Sequence, residues 1–256
     1  MIESLLKSSP ARSGLPAIVK PDVSEGMPSA LVGPPLAAAV LFLLATSLML
    51  SRARELTGGQ FSYAVDDAYI HMAVAKTLVL HHVYGVTPYE VTTSASSILW
   101  PWLLAACFSL FGIHETIPLA LNMIFAIAIL FIANRAMIDF GGPAATPVMR
   151  LIALVVLAIA APMPVMVVIG MEHLLHGACV LGLAVLAVRV LSGRAYGPAI
   201  LVALTMLASL STGVRYEGVS AVLAVVLLLA LKRRWAAAVV VALGAATPIL
   251  VQGVVA

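Results

Sequence analysis

Charge is scarce in this chain. Only 10% of its 256 residues are Asp, Glu, Lys or Arg, against about 25% in a soluble domain. With 62% hydrophobic residues and a mean hydropathy of +1.12, that shortage excludes an ordinary water-soluble fold. It implies a multi-span membrane protein. Cysteine is scarcer still. Cys107 and Cys179 are the only two, and both lie in apolar helical stretches, where a thiol serves as a small core residue. A disulfide framework and a CxxC metal motif are therefore excluded. The chain also lacks a Walker loop, a GxGxxG turn and a GxSxG elbow. The net charge is +3, and no basic, aromatic-interleaved patch exists, so no nucleic-acid partner is expected. The basic residues read as topology signals. An apolar core near Met1 is missing too. The first thirty residues are polar and rich in Pro, Gly and Ser, which places the first apolar run too late for a cleavable signal peptide. We read residues 1–30 as a disordered cytoplasmic tail and residues 31–256 as a transmembrane domain opened by an uncleaved span.

What is present is a series of apolar runs, at about 31–50, 97–113, 116–137, 148–169, 172–191, 197–213, 218–231 and 235–255. Each is near the ~20 residues that cross a hydrocarbon core, or somewhat shorter. One long polar interruption, residues 51–96, separates the first two. It holds the adjacent pair Asp66-Asp67, four of the six tyrosines and three of the six histidines. No internal repeat is visible.

Parity orients the runs. With Lys7, Arg12 and Lys20 inside, residues 51–96 lie outside. If 97–113 crossed, Arg135, Arg150, Arg189, Arg194, Lys232, Arg233 and Arg234 would all fall outside, against the positive-inside rule. If 97–113 dips in and returns, these seven move inside and Arg215 moves out. The run is short, and its "SILWPWLLA" carries Trp100 and Trp102, which favour the interface, and Pro101, which can start or bend a helix. The expected fold is therefore all-α. It is a polytopic membrane protein with about seven transmembrane helices, plus amphipathic and re-entrant helices in a first outer loop spanning 51–115. Asp66, Asp67, Glu172, Arg215, Glu217 and all six histidines then gather on the outer face.

Three stretches could carry chemistry. "AVDDAYIHMAVAK", Ala64 to Lys76, predicts a helix beginning at the aspartates, because Asp is a good N-cap and apolar residues follow at helical spacing. Ile70, Val74, Leu78 and His81 would share one stripe of a helix lying on the outer surface. One aspartate could simply cap and the other face water. Alternatively, a carboxylate here could take the proton of a substrate hydroxyl. "GMEHLLH", Gly170 to His176, puts Glu172 at the start of an apolar helix, where the helix dipole favours an acid. Glu172, His173 and His176 share a face, but their order is not that of the HExxH zinc motif. They could line a cavity or hold a metal. "STGVRYEG", Ser211 to Gly218, places Arg215 and Glu217 between two apolar runs, either as an outer turn or as a functional pair. A guanidinium there suits a phosphate.

In matching order from about Val40 to Gly218, "DDAYIHMAVAK", "GMEHLLH" and "RYEG" resemble the GT-C superfamily of membrane glycosyltransferases that use polyprenyl-phosphate sugars. The likeness is to the bacterial branch with the terminal arabinofuranosyltransferases and to the protein mannosyltransferase-like group. It implies an inverting transfer from a polyprenyl-phosphate donor to a glycan, lipid or protein acceptor on the outer face of the cytoplasmic (inner) membrane. By that resemblance Asp66 activates the acceptor hydroxyl and Asp67 positions the acceptor or a metal. The substrate-binding candidates are Glu172, Arg215, Glu217, His71 and Lys76, with Arg215 steadying the leaving lipid phosphate. No cofactor is required, although a divalent cation held by Asp66 and Asp67 is compatible with the family. Two positions depart from its pattern. Ser97-Ile98-Leu99-Trp100 stands where relatives read S-P-L-W, and the helix after the pair has Ala73 and Lys76 where many carry an arginine. Family members also continue beyond the length seen here, so the chain is expected to be an N-terminal portion. The alternatives are a transporter or lipid flippase, whose charges would line a path at mid-helix, and an inactive truncated fragment.

Overall fold

The computed structural model describes residues 27–92 and 95–255. The expected tail over 1–30 therefore lies mostly outside the described residues, and helix α1 already begins at Met27. Among the described residues the chain is all-helical, with no strand. Its helices are α1 (Met27–Leu56), α2 (Asp67–His81), α3 (Leu99–Phe111), α4 (Ile117–Phe140), α5 (Pro147–Ala160), α6 (Met163–Ile169), α7 (His173–Leu191), α8 (Pro198–Val214), α9 (Gly218–Leu231) and α10 (Trp235–Val255).

Prolines and hydroxyls set several of the boundaries. Pro147 and Pro198 open α5 and α8 at the position where a missing N–H costs no helical hydrogen bond. Thr146 caps α5, its Oγ1 accepting from the Met149 amide at 3.3 Å. Ser97 does the same for α3, accepting from the Trp100 amide at 3.0 Å. The run 148–169, expected as one span, is broken. Pro162 cannot continue the ladder, and α5 and α6 meet there at a 43° bend.

Four helices are long and apolar enough to cross a bilayer, over Leu31–Leu56, Ile117–Phe140, His173–Leu191 and Trp235–Gly253. The bent α5–α6 pair makes a fifth when it is taken as one span. Helices α3, α8 and α9 are apolar but shorter. Leucines and other large apolar residues stand exposed along the long helices: Val40, Leu44 and Leu48 on α1, and Leu243 and Leu250 on α10. Apolar surface of this extent marks a lipid-facing belt.

Helix α7 is the spine of the bundle. Its first half packs into a core with Phe42 of α1, Leu130 of α4, Leu154 of α5 and Val167 of α6. Its second half packs with Leu204 of α8, Leu229 of α9 and Val241 of α10. Both layers are rich in alanine, which lets helix backbones approach closely where packing contacts rather than water expulsion drive association. Cys179 is buried among these helices and Cys107 is half-buried, both as free thiols.

Hydrogen bonds at the helix ends show how α1 and α4 run relative to each other. The Asn134 amide near the end of α4 donates to the Leu31 carbonyl near the start of α1 at 2.9 Å. At the other end, the hydroxyl of Tyr63, just after α1, donates to the Glu115 carbonyl at 2.5 Å and accepts from the Leu119 amide at 3.1 Å. Helices α1 and α4 are therefore antiparallel neighbours, and α2 and α3 fill one end of the bundle without carrying the chain across it. Helix α3, with 13 residues, is only about 20 Å long at 1.5 Å per residue, short of the ~30 Å hydrocarbon core. Trp102 is half exposed, as an interfacial residue would be, but Trp100 is fully buried against Leu104 and Phe108.

Helix α2 turns a different face inward from the stripe read in the sequence. Val74 is buried, but Ile70 and Leu78 are partly exposed and His81 is exposed. The buried positions are Ala68, His71, Met72, Val74, Ala75 and Thr77. Ala68 and Ala75 have no bulk to hold off Trp100, Leu104 and Ala105 of α3. The small residues therefore select the contact face, and the larger aliphatics stay outside.

Candidate functional site

Helix α2 begins at Asp67, with Asp66 as its N-terminal neighbour. The Asp66 carbonyl accepts from the amides of Tyr69 and Ile70 at 2.8 and 3.2 Å, but neither aspartate's side chain caps the helix. Both residues are exposed. Among the described residues their carboxylates make no hydrogen bond or ion pair, and they stand open to solvent. A carboxylate at this end of a helix is favoured by the helix dipole.

One turn after Asp67, His71 points inward and is buried. Its Nε2 lies 3.2 Å from Ser96 Oγ and 3.5 Å from Glu172 Oε2. Burial pulls its pKa below 6.5, outweighing the opposing charges of Glu172 and Asp67, while Arg215 and His173 add to the lowering. His71 is thus neutral at pH 7, and its contact with Glu172 is not an ion pair. Glu172 Oε2 and His71 Nδ1 have no hydrogen-bond partner among the described residues.

Among the described residues Glu172 is the fully buried acid, with 0% of its side chain exposed. It precedes α7, as expected, but its carboxylate does not cap that helix. Oε1 instead accepts from Arg215 Nη1 at 2.8 Å and lies 3.5 Å from Ser96 Oγ. Arg215 follows α8 in an extended conformation. Its other edge forks onto Glu217, with Nη2 to Oε1 at 2.7 Å and Nε to Oε2 at 3.3 Å. These bonds push the Arg215 pKa up, led by the Glu217 hydrogen bond. They hold the largely exposed Glu217 carboxyl down at about 2. One arginine therefore bridges an interior acid and a surface acid.

Ser96, just before α3, is the loop residue that touches this group among the described residues. The hydroxyl of the half-buried Tyr84 donates to the Ser97 carbonyl at 3.2 Å, and its ring stacks on Trp102 at 6.0 Å. Burial raises the Tyr84 pKa to about 12. Gly170 ties "GMEH" to the first loop. Its φ is +75°, and a Cβ there would lie 2.4 Å from the Tyr63 ring, so a side chain is barred by conformation and by space.

Of the sequence candidates, the structure brings His71, Glu172, Arg215 and Glu217 together and sets Asp67 one helical turn from His71. Lys76 is exposed and lies nine positions after Asp67, on the opposite side of the helix, so it does not join the group. His173 and His176 follow Glu172 on α7, yet no three His, Cys, Asp or Glu side chains among the described residues form a metal cluster. The exposed Asp66-Asp67 oxygens fit only a cation that keeps most of its shell as water or substrate oxygens, as Mg²⁺ commonly does. Sequence reasoning missed Ser96 and Tyr63. Ser96 was visible only as one hydroxyl among several in "TTSASS", and nothing local marked Tyr63 as the residue facing Gly170.

Chemically, the group holds two carboxylates and one guanidinium around a neutral imidazole, with two more carboxylates exposed beside it. Arg215 offers an anion its full side edge, Nε with Nη2, only where Glu217 gives it up. The exposed carboxylates can accept a proton or a hydroxyl hydrogen bond. Fold and site together define an α-helical bundle of membrane-spanning type with a buried acid–arginine centre at one end. No family model matches the chain, and no curated protein or solved structure does either.

Proposed function

We propose that the chain is a membrane glycosyltransferase of GT-C type. It moves a sugar from a polyprenyl-phosphate donor to a cell-envelope glycan, lipid or protein acceptor on the outer face of the cytoplasmic membrane. The observation that carries this reading is the exposed, unpartnered Asp66-Asp67 pair one helical turn from the His71–Glu172–Arg215 group. In the proposed reaction Asp66 takes the proton of the acceptor hydroxyl. The hydroxyl oxygen attacks the anomeric carbon as the bond to the phosphate oxygen breaks, and the electron pair leaves with the polyprenyl phosphate. The configuration inverts. Arg215 stabilises the charge growing on that phosphate by exchanging the Glu217 carboxylate for a phosphate oxygen. His71 and Glu172 fix the guanidinium from behind, and Asp67 orients the acceptor.

In this reading seven segments cross: α1, α4, the bent α5–α6 pair, α7, α8, α9 and α10. Helices α2 and α3 lie on the outer side. The antiparallel pairing of α1 with α4 supports it, and so does the placement of Arg135, Arg150 and Arg189 away from the Glu172 group.

The test is transfer from a labelled polyprenyl-phosphate sugar in membranes holding Asp66→Asn or Asp67→Asn. Loss of the base is expected to lower turnover by about 10²–10⁴-fold, with thermal stability lowered by no more than the ~0.3–1 kcal/mol of a helix-dipole contact. Normal rates in both variants would remove the assignment.

A further inference from the structure

At the end of the bundle away from Glu172, a groove of about 320 Å³ runs between α4 and α7. Its floor is Phe131, Ile132, Gly182, Val185 and Leu186, and the two guanidiniums of Arg135 and Arg189 complete its lining. Asp139 sits between these arginines. Its Oδ1 is 3.1 Å from Arg135 Nε, and its Oδ2 accepts from Arg189 Nε at 2.7 Å and also from Arg189 Nη2. The acid thus occupies one edge of each guanidinium. Among the described residues, Arg135 Nη1 and Nη2 and Arg189 Nη1 carry no hydrogen bond. A third arginine, Arg194, donates to the Asp139 backbone carbonyl and lies 5.2 Å over the Phe140 ring. Three guanidiniums against one carboxylate leave an excess of two positive charges at the groove's rim.

We infer that this groove binds an anionic phospholipid of the leaflet at that end. One acyl chain lies on the α4–α7 floor, and the phosphate meets Arg135 and Arg189. The floor offers water almost no polar partner, so it stays dry or fills with hydrocarbon. The rim then selects among lipids by charge. A zwitterionic head group brings its own cation to the arginines, whereas an anionic one supplies the negative charge that Asp139 leaves unmet. Asp139 holds both guanidiniums in place before the lipid arrives. The inference stands apart from the proposed sugar transfer, because it uses none of the residues at the Glu172 end.

The purified full chain in a non-ionic detergent tests it by native mass spectrometry and thermal unfolding with added phosphatidylglycerol or phosphatidylcholine. Phosphatidylglycerol should remain bound and raise the unfolding midpoint, while phosphatidylcholine should not. Arg135→Gln, at a half-exposed position, should weaken the phosphatidylglycerol effect about fivefold, the factor that ~1 kcal/mol per basic group at a membrane surface corresponds to. Arg135→Lys should restore most of it. Ile132→Trp should remove lipid binding by filling the floor with the charges intact. Equal effects of the two lipids, an unchanged response in Arg135→Gln, or the same stabilisation by inorganic phosphate alone would overturn the inference. Full binding by a folded Ile132→Trp protein would also overturn it, because the arginines would then be attracting lipid without the groove.

Discussion

Glu172 and Asp139 are each gripped by an arginine reached across tens of residues of sequence, at opposite ends of the bundle. They differ in depth and in company. Glu172 is fully buried and has a single arginine, which it shares with the surface acid Glu217. Asp139 is 12% exposed and has two arginines of its own. The Glu172 end is therefore an acid-rich centre whose one cation is over-subscribed, while the Asp139 end has cations to spare. An acid placed where water cannot reach depends on its partner to offset the cost of desolvation, and losing that partner is strongly destabilising. An acid near the surface, surrounded by arginines, acts as a clip between helix ends and leaves positive charge facing outward. That contrast is why the first end is read as a reaction site and the second as a lipid contact.

The widest gap between the ends should appear when each acid loses an arginine. Arg215→Gln strands Glu172 in the interior and is expected to destabilise by about 3–5 kcal/mol, as broken buried pairs do. Arg189→Gln leaves Asp139 with Arg135 and with water, at a cost of about 1 kcal/mol. Thermal or denaturant unfolding of the two variants in the same detergent makes the measurement. Equal costs would end the distinction between a buried centre and a surface clip.

A smaller difference should separate two glycines. Gly170→Ala at the Glu172 end meets both a left-handed backbone and the Tyr63 ring at 2.4 Å. The strain and overpacking should together exceed about 2 kcal/mol. Gly142 has a φ of +58° with open space around it, so Gly142→Ala should cost only the ~1–2 kcal/mol of backbone conformation. The same unfolding assay ranks them, and a reversed order would show that the first loop does not press on Gly170.

The gentlest probe is pH. His71 has a folded pKa below its unfolded value near 6.5, so below that value the unfolded chain takes up the proton first. Its contribution to stability is therefore complete above about pH 6.5. It declines as pH falls from there toward the lowered folded pKa, and then levels off. Asp67, Glu172, Arg215 and His173 are the charged and titratable groups that act on it. His71→Gln should flatten that part of the stability profile, while the Asp139 end, which has no such histidine, should not impose the dependence. A variant with an unchanged profile would mean that His71 is not the group responsible.

Much of the fold was legible because hydrocarbon imposes a simple length rule. Apolar runs of the right span, polar breaks between them and the position of the basic residues located the helices and set α3 apart as too short. The break at Pro162 was missed because apolar composition runs straight through it. The face of α2 was misread for a related reason. Ile70, Val74 and Leu78 form a credible stripe, but α2 is apolar almost all the way round, so periodicity could not choose a side. The alanines opposite Trp100 did. At the site, Asp66, Glu172, Arg215 and Glu217 stood out because charge is rare here, yet which of them pair with one another did not. Arg215 looked free to hold a phosphate and is in fact shared by two carboxylates. His71 was expected as a substrate-binding residue of a surface helix and is instead buried against Glu172.

The sequence by itself determined that the protein is helical, which segments suit a bilayer and which few residues could carry charge-dependent chemistry, because solvation in hydrocarbon acts on each segment separately. Only the tertiary structure decided which of those charges meet. The pairings of Glu172 with Arg215, of His71 with Glu172, and of Asp139 with Arg189 span 43, 101 and 50 positions. Distances of that kind are set by how helices pack through small residues, and no local pattern in the chain encodes them.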